Sequence, residues 1–413
     1  MINLFQERIS SAEKLKDLVT VLLYLSFVVF STNSFGIYYM IGLVLIILLI
    51  HAFSKGISTS FHIGLFHKYM LLLSLFCFVS CIWAVKPGLA IEKGFTLLEL
   101  LLAFAILYET YYDSSTDRLL AIIMWGGFFL SIYTLLFVGI DNLQETLDEG
   151  ERLENSFANV NVIGMCCSTS VLIAYYLFQK QKNWLDVIMC IPCIIIIAGS
   201  GSRKAFLMLV LGILYLTIFR ADLSKSKNVI SNLFKMAFSI AIVIIVVLAV
   251  SKLGLFGGTL ERMDEMFASF TGKGEADSSS LIRKYYRYIG FQQFSQTPIL
   301  GMGMGNARLL VQQYTGKDTY LHCNYAEIAA SGGVVGLILV YWIYINFLIK
   351  EVRYRKVNDT STIIILLILL NLIMDYGRVS YYSKDFYFIM MMLCLHYEKT
   401  NTKTLLVRFG SKL

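Results

Sequence analysis

Residues 36–53 read GIYYMIGLVLIILLIHAF and decide the fold class, because no charged side chain interrupts them. A helix of about 20 apolar residues crosses the hydrocarbon core of a bilayer, which is roughly 30 Å thick. Comparable runs recur along the chain, which is 57% hydrophobic and has a mean hydropathy of +0.68. Only 15% of its residues are charged, against roughly 25% in soluble domains. The sequence therefore predicts an all-α, polytopic integral membrane protein.

About twelve membrane-spanning helices are predicted, and the distribution of Lys and Arg orients them, since cytoplasmic loops are enriched in these residues. With a cytoplasmic N-terminus, twenty Lys and Arg lie in inside segments and seven in short outer loops. The other eight lie within residues 252–324, a loop too long for its charge to count. Both termini are therefore predicted to be cytoplasmic. The helices are placed at residues 18–33, 36–53, 69–85, 93–111, 118–140, 157–178, 184–200, 203–219, 235–253, 325–349, 361–376 and 385–397.

One membrane domain over residues 1–413 is the simplest organisation, because the sequence has no evident repeat or linker. Its loop at residues 254–324 is predicted to form an extracytoplasmic subdomain that carries part of the active site. The net charge of +7 is scattered between apolar runs rather than gathered on one face, so no nucleic acid partner is expected. The Cys190-x-x-Cys193 spacing lacks a second ligand pair, and neither a metal nor a cofactor is expected.

The first candidate site feature is the segment at residues 199–204, Gly-Ser-Gly-Ser-Arg-Lys, between two apolar runs. Its glycines and serines break the helix, and Arg203 and Lys204 follow at membrane depth. A charge at this depth is costly unless it faces water or a partner, so Arg203 is a candidate for binding an anion. A tight outer turn whose cations reach lipid phosphates is an equally good interpretation.

The second feature is the stretch at residues 278–317, which contains three Arg and two Lys but no Asp or Glu. Arg283 and Arg287 are four residues apart and therefore share one face of a helix. Aromatic residues interleave with them, which is typical of an amphipathic helix at a membrane surface. The planar guanidinium groups suit two phosphate oxygens at once. An interfacial helix bound to anionic lipid headgroups is the alternative.

The same stretch continues with Gly301-Met302-Gly303-Met304-Gly305-Asn306, which superficially resembles a dinucleotide-binding loop. Asn306 stands where that motif needs its last glycine, and no strand is predicted before the run. We therefore expect the glycines to allow tight backbone packing.

The third feature is His322, the only histidine that the topology places outside the cytoplasm. Histidine titrates near neutral pH and can take a proton from a hydroxyl group. Glu327, five residues later, is a candidate for orienting it. A structural role for a single histidine is the alternative.

Four blocks of this sequence together resemble the bacterial O-antigen ligase and O-antigen polymerase superfamily. Residues 155–161, Asn-Ser-Phe-Ala-Asn-Val-Asn, resemble its Phe-x-Asn-Pro-Asn helix start, and Ser202-Arg203 resembles its Ser-Arg-Gly turn. Arg283 with Pro298 and the following glycines resembles its Arg…Pro-x-x-Gly-x-Gly block. His322 with Tyr325 resembles its His-Asn-x-Tyr segment. This sequence departs from the pattern at Val160, Lys204 and Cys323.

The resemblance implies a metal-independent, inverting glycosyltransferase of the bacterial cytoplasmic membrane that acts on its outer side. The donor would be a glycan linked to undecaprenyl diphosphate. By position, Arg203 and Arg283 would bind the diphosphate, His322 would be the catalytic base, and helical spacing adds Arg287 to the diphosphate site. Flippase and chain-length regulator proteins are possible partners.

Polymerase, ligase and transporter functions remain open at this point, and so does an assembly or scaffold role, which would not require the Arg and His set. A polymerase transfers the glycan to another lipid-linked repeat unit of an O-antigen, capsule or exopolysaccharide, whereas a ligase transfers it to lipid A-core or another final acceptor. Polymerases are more numerous and more divergent, which favours the polymerase. A transporter of lipid-linked sugars usually shows repeats and midplane polar residues. Glu92 and Glu99, on one helix face, are its best support here, and pairing with Lys93 is the alternative explanation for them.

Overall fold

The computed structural model describes residues 10–31, 35–56, 61–139, 142, 153, 157–220, 237, 278–354 and 359–410. Every regular element among them is a helix, which confirms the predicted all-α class for the described residues. The helices are α1 (Ser11–Val29), α2 (Gly36–Lys55), α3 (Leu65–Ser80), α4 (Pro87–Thr110), α5 (Thr116–Val138), α6 (Val160–Gln181), α7 (Trp184–Ile188), α8 (Ile191–Gly199), α9 (Arg203–Arg220), α10 (Ser278–Gln296), α11 (Ala307–Thr315), α12 (Asn324–Tyr354), α13 (Thr360–Met374) and α14 (Lys384–Gly410).

Four helices in the described part of the chain are long and apolar enough to cross a membrane. They are Gly36–Ser54, Thr116–Val138, Val160–Gln181 and Asn324–Tyr354. Leu65–Ser80, Trp184–Gly199 and Thr360–Met374 are apolar but shorter. The set of twelve spans stays a prediction. The predicted helix at 235–253 lies outside the described residues except for residue 237, and so do residues 254–277 of the predicted outer loop.

Prolines account for two differences between the predicted and observed helices. The predicted helix at 184–200 is divided into α7 and α8, because Pro192 lacks an N–H and its ring clashes with a continuing helix. The fourth predicted helix begins at Pro87 rather than at residue 93. Proline is favoured in the first turn, where its fixed φ angle suits the helix and its missing N–H costs nothing.

The chain divides into two compact units, each built from three segments. Unit 1 contains the described residues of Met1–Ser54, Asp117–Ala276 and Tyr354–Leu370. Unit 2 contains those of Lys55–Thr116, Asp277–Arg353 and Asn371–Leu413. A single membrane domain over residues 1–413 stays a prediction.

In unit 1, a buried ionic network joins α1 to α5. The Arg118 guanidinium donates from Nε to Asp17 Oδ2 at 2.9 Å and from Nη2 to Glu13 Oε2 at 2.7 Å. The Lys16 ammonium donates to Glu13 Oε1 at 3.0 Å. Two cations and two carboxylates thus neutralise one another, which limits the cost of burying each charge. Elsewhere in this unit, α6 packs against α8 and α9.

In unit 2, α3 packs against α4, and the glycine-containing loop at residues 297–306 fastens several elements together. The Met302 N–H donates to the Ala330 carbonyl at 2.9 Å, and the Val85 N–H donates to the Met302 carbonyl at 3.1 Å. Gly301 has a φ of +65°, and a Cβ there would lie 2.5 Å from the Ser331 carbonyl oxygen. The predicted role of the glycines in tight backbone packing is confirmed.

The loop also explains why α12 is broken within the span predicted at 325–349. Gly333 has a φ of 61° and a ψ of −157°, which interrupts the helix. The Val334 and Val335 N–H groups, which lose their helical acceptors at the break, donate to the Pro298 and Ile299 carbonyls at 2.8 and 3.2 Å. The loop therefore caps the second half of α12 and fixes the direction of the first half, which follows His322.

Candidate functional site

Helix α10 carries two of the predicted site residues, Arg283 and Arg287, one turn apart and both half-buried. The predicted helix and the shared flank of these residues are confirmed. Tyr286 and Ile289 lie on its inner face and are 3% and 2% exposed. The opposite face is apolar and exposed, with Leu281, Tyr285, Tyr288 and Phe291. Both arginines thus lie at the border between the buried and exposed faces.

Close packing brings α10 to the loop that carries His322. A Cβ at Gly290 would lie 2.7 Å from Leu321 Cδ1 and 3.1 Å from Ala326 Cβ, so glycine allows this close approach without a shift of either neighbour. A small apolar core forms around this contact, from residues of α10, α11, the glycine-containing loop, the His322 loop and the start of α12: Tyr286, Ile289, Met302, Ala307, Leu310, Val311, Leu321, Cys323, Ala326 and Ala330. Cys323, which separates His322 from Asn324, packs in this core.

The His322 side chain contacts two tyrosine rings. Its imidazole is parallel to Tyr286, with centroids 6.0 Å apart and an interplanar angle of 11°. The Tyr320 ring centroid lies 4.2 Å from it at 49°. His322 has a φ of +57°, a left-handed conformation that is uncommon for residues other than glycine. Burial raises the pKa of Tyr320, the Arg283 charge opposes that rise, and the Glu327 charge adds to it. Arg283 therefore lies within electrostatic reach of the loop that carries His322.

Glu327 acts on the His322 loop through the backbone. Its carboxylate is 3% exposed and accepts a hydrogen bond from the Leu321 N–H at 2.9 Å. This bond reaches back across the first turn of α12 and fixes the residue before His322. The sequence identified Glu327 as a candidate for orienting His322, and the structure gives it a backbone contact through which to do so.

The residue after Cys323 anchors the start of α12. The buried Asn324 donates from Nδ2 to Asp375 Oδ2 at 3.0 Å and to the Tyr341 hydroxyl at 2.9 Å. Its Oδ1 accepts from the N–H groups of Ser380 and Tyr381. Asp375 is fully buried, and sequence reasoning missed it. An acidic residue at the end of an apolar run was the signal that could have identified it.

Arg287 and Arg308 have different surroundings. The Arg287 guanidinium carbon lies 4.5 Å from the centroid of the Tyr376 ring, a cation–π contact. Arg308 forms a two-point ion pair with Asp318, including Nε to Oδ1 at 2.7 Å. That hydrogen bond lowers the pKa of Asp318 and raises the pKa of Arg308. Asp318, the residue directly after the acid-free stretch at 278–317, is therefore the ion-pair partner of Arg308.

Arg203 is the first residue of α9 and belongs to unit 1. The preceding turn is buried: Ser200 and Ser202 are 0% and 1% exposed, and Gly201 has a φ of +53°. Ser202 caps the helix, since its Oγ accepts from the Ala205 N–H at 3.4 Å. The predicted helix break is confirmed, with a half-buried Arg203 directly after it. In the same unit, α6 begins at Val160 after the N-cap Asn159. The block that resembles the Phe-x-Asn-Pro-Asn helix start therefore does begin a helix.

A family model described as O-antigen ligase matches residues 188–341. The match includes Arg203, Arg283, Arg287 and His322. It confirms the resemblance to the O-antigen ligase and polymerase superfamily that the four sequence blocks indicated. A search of curated proteins gives no match. The apolar helices and the family together indicate an integral membrane protein.

Proposed function

Since the chain matches the O-antigen ligase family over residues 188–341, we propose that it is a surface polysaccharide polymerase. It takes a glycan from undecaprenyl diphosphate and transfers it to a hydroxyl group of a lipid-linked repeat unit. The acceptor oxygen bonds to C1 of the donor's reducing-end sugar, the bond from C1 to the phosphate oxygen breaks, and the configuration at C1 inverts. The diphosphate lipid leaves with the electron pair.

The observation that carries this proposal is the packing of α10 on the His322 loop. Helix α10 carries Arg283 and Arg287 at the edge of its buried face. Tyr286, which lies between them in the sequence, stacks on the His322 imidazole. In this proposal His322 takes the proton of the acceptor hydroxyl, which makes the oxygen a stronger nucleophile as C1 is attacked. The arginines stabilise the negative charge that develops on the leaving diphosphate. These roles need no metal ion or cofactor.

Arg203, in unit 1, is proposed on its own evidence as a diphosphate-binding residue. It follows a buried, rigid turn, so its guanidinium starts from a fixed backbone position. The family resemblance at Ser202-Arg203 supports this role. The site residues are therefore Arg203, Arg283 and Arg287 for the diphosphate, and His322 for catalysis.

The alternative within the family is a ligase that uses lipid A-core or another final acceptor. The description of the matching family as O-antigen ligase favours it. The divergence of the motifs, with Val160, Lys204 and Cys323 at three of their positions, favours the polymerase. Both reactions require the same base and the same cations, so only the acceptor separates them.

The proposed location is the bacterial cytoplasmic membrane, with both termini in the cytoplasm and the site on the outer side. The positive-inside distribution of Lys and Arg supports this orientation. A lipid-linked donor in the membrane is the main partner. A flippase that delivers the donor and a protein that sets chain length are further partners of such a reaction.

A genetic test uses His322→Ala and Arg203→Ala, with Lys317→Ala as the control, since Lys317 is an exposed loop cation. The first two variants should abolish long-chain surface polysaccharide at normal protein levels, whereas the control should give wild-type chains. Unchanged ladders in His322→Ala would contradict an enzymatic role and favour transport of lipid-linked sugars.

A further inference from the structure

Lys93 on α4 has an unusual environment for a cation. Its side chain is half-buried, and its ammonium lies over the Tyr382 ring, 4.0 Å from the centroid. Within the described part of the chain, this ammonium has neither a hydrogen-bond acceptor nor an ion-pair partner. The sequence offered pairing with Lys93 as an explanation for Glu92 and Glu99. The Glu92 charge acts on Lys93, but no direct ion pair joins the two within the described residues. An ammonium that lacks a hydrogen-bond acceptor has donors available to an oxyanion.

The glycine-containing loop holds Lys93 in this position. Gly305 has a φ of +75°, and a Cβ there would lie 2.7 Å from Lys93 Cγ and 2.9 Å from the Leu89 carbonyl oxygen. The N–H of Lys86, the N-cap residue seven positions before Lys93, donates to Asn306 Oδ1 at 2.7 Å. The start of α4 is therefore fastened to the loop that also caps the second half of α12. The aliphatic part of the Lys93 side chain packs against Gly305, which has no side chain to obstruct it.

Lys93 is connected to the His322 loop through Glu327. Lys93 and Arg308 are the two cations whose charges act on the Glu327 carboxyl group. That carboxylate in turn holds the Leu321 N–H, next to His322. Arg308 is already paired with Asp318 at 2.7 Å, whereas no ion pair engages the Lys93 ammonium within the described residues. Tyr320, at 4.2 Å from the imidazole, is within the electrostatic reach of both Arg283 and Glu327.

Arg283 and Lys93 thus lie on elements that both adjoin the Tyr320 and Glu327 region of unit 2. From this arrangement we propose that Lys93 is a further binding residue of the donor site, and that it holds a phosphate oxygen of the lipid diphosphate. The inference rests on the proposed function. A lysine suits this role because its three donors rotate freely around a compact charge, whereas the arginines offer flat, two-point contacts. The cation–π contact with Tyr382 positions the ammonium.

The test measures binding of farnesyl diphosphate, a soluble prenyl diphosphate without any sugar, to the purified full-length protein in detergent. Lys93→Met should weaken binding about tenfold or more, as expected for the loss of a charge-assisted hydrogen bond. Lys93→Arg should retain part of the affinity. Lys317→Met, which removes an exposed cation from the loop before His322, should bind like the wild type. Equal melting temperatures of the variants would show that the effect is not a loss of folding.

A second variant separates phosphate binding from a purely structural role. If Lys93 only balances the charge of Glu327, the double variant Lys93→Met/Glu327→Gln should regain full affinity, because glutamine can still accept from the Leu321 N–H. Our proposal predicts that its affinity stays low. Wild-type affinity in Lys93→Met, or full recovery in the double variant, would overturn it. If the wild type itself does not bind farnesyl diphosphate, the proposed donor chemistry fails together with this inference.

Discussion

The imidazole of His322 lies parallel to the buried ring of Tyr286, with centroids 6.0 Å apart and 11° between their planes. Tyr286 sits between Arg283 and Arg287 in the sequence of α10, so a single helix positions the proposed base and carries two of the proposed diphosphate ligands. Displacement of α10 would therefore disturb both functions at once. The predictions below separate these contributions.

Truncation of Tyr286 should uncouple His322 from α10. Tyr286→Ala is expected to lower stability by roughly 3–5 kcal/mol, the usual cost of removing a buried aromatic ring, and to reduce polymer synthesis further than that loss explains. Tyr286→Phe keeps the stacked ring and should remain active. Ile289→Ala, equally buried on the same helix, is the control for packing alone. Thermal unfolding and initial rates of chain elongation would be measured together; equal activity of Tyr286→Ala and Ile289→Ala would contradict the positioning role.

Two replacements of His322 should distinguish the backbone strain at this position from the proposed role of the imidazole as general base. At a φ of +57°, alanine costs roughly 1–2 kcal/mol, whereas glycine adopts this conformation readily. His322→Gly should therefore unfold no earlier than His322→Ala. Both variants should lose the roughly 10²- to 10⁴-fold rate contribution of a general base. Added imidazole should restore part of the rate in His322→Gly, and a fully active His322→Gly would exclude the proposed base.

The contact between Arg287 and Tyr376 should affect donor binding. The guanidinium carbon lies 4.5 Å from the ring centroid, and such contacts contribute about 0.5–1 kcal/mol at exposed sites. Tyr376→Ala should raise the KM for the donor a few-fold with little change in kcat, while Tyr376→Phe should behave like the wild type. Tyr314→Ala, which truncates another exposed tyrosine, is the control. An unchanged KM in Tyr376→Ala would show that the ring does not position Arg287.

Two glycines with similar φ angles distinguish close packing from backbone strain. Gly301 (+65°) is pressed against the Ser331 carbonyl group, whereas a Cβ at Gly316 (+71°) would meet nothing within 4 Å. Gly316→Ala should cost roughly 1–2 kcal/mol from strain alone. Gly301→Ala adds a clash between two backbones and should cost roughly 3 kcal/mol or more. Thermal unfolding in detergent would test this order, and equal losses would contradict the role of the loop as a packing junction.

The sequence predicted those features that depend on local spacing. Arg283 and Arg287 lie on one helix because four residues make one turn, and the break before Arg203 follows from its glycines and serines. The small core that joins Tyr286 to Leu321 could not be predicted, because it depends on which segments meet across more than thirty residues. The same reason hid Asp375, whose partners Asn324 and Tyr341 lie 51 and 34 residues away.

Sequence reasoning gave only part of the surroundings of Lys93. A glutamate next to it in the chain suggested an ion pair, yet adjacent residues on a helix do not face each other. The side chain instead follows the surface of Gly305 towards Tyr382, a residue nearly 300 positions away. Only a three-dimensional arrangement reveals that the glycine-containing loop, Lys93 and the Glu327 carboxylate belong to one region.

The central claim is that this chain extends a glycan on its lipid carrier. The most direct measurement supplies the purified protein with an undecaprenyl-diphosphate oligosaccharide and no other acceptor, and separates the products by chain length. Our account predicts a ladder of lengthened lipid-linked chains that is absent with His322→Ala. Product that forms only after lipid A-core is added would identify a ligase instead, and no product under either condition would contradict glycosyl transfer altogether.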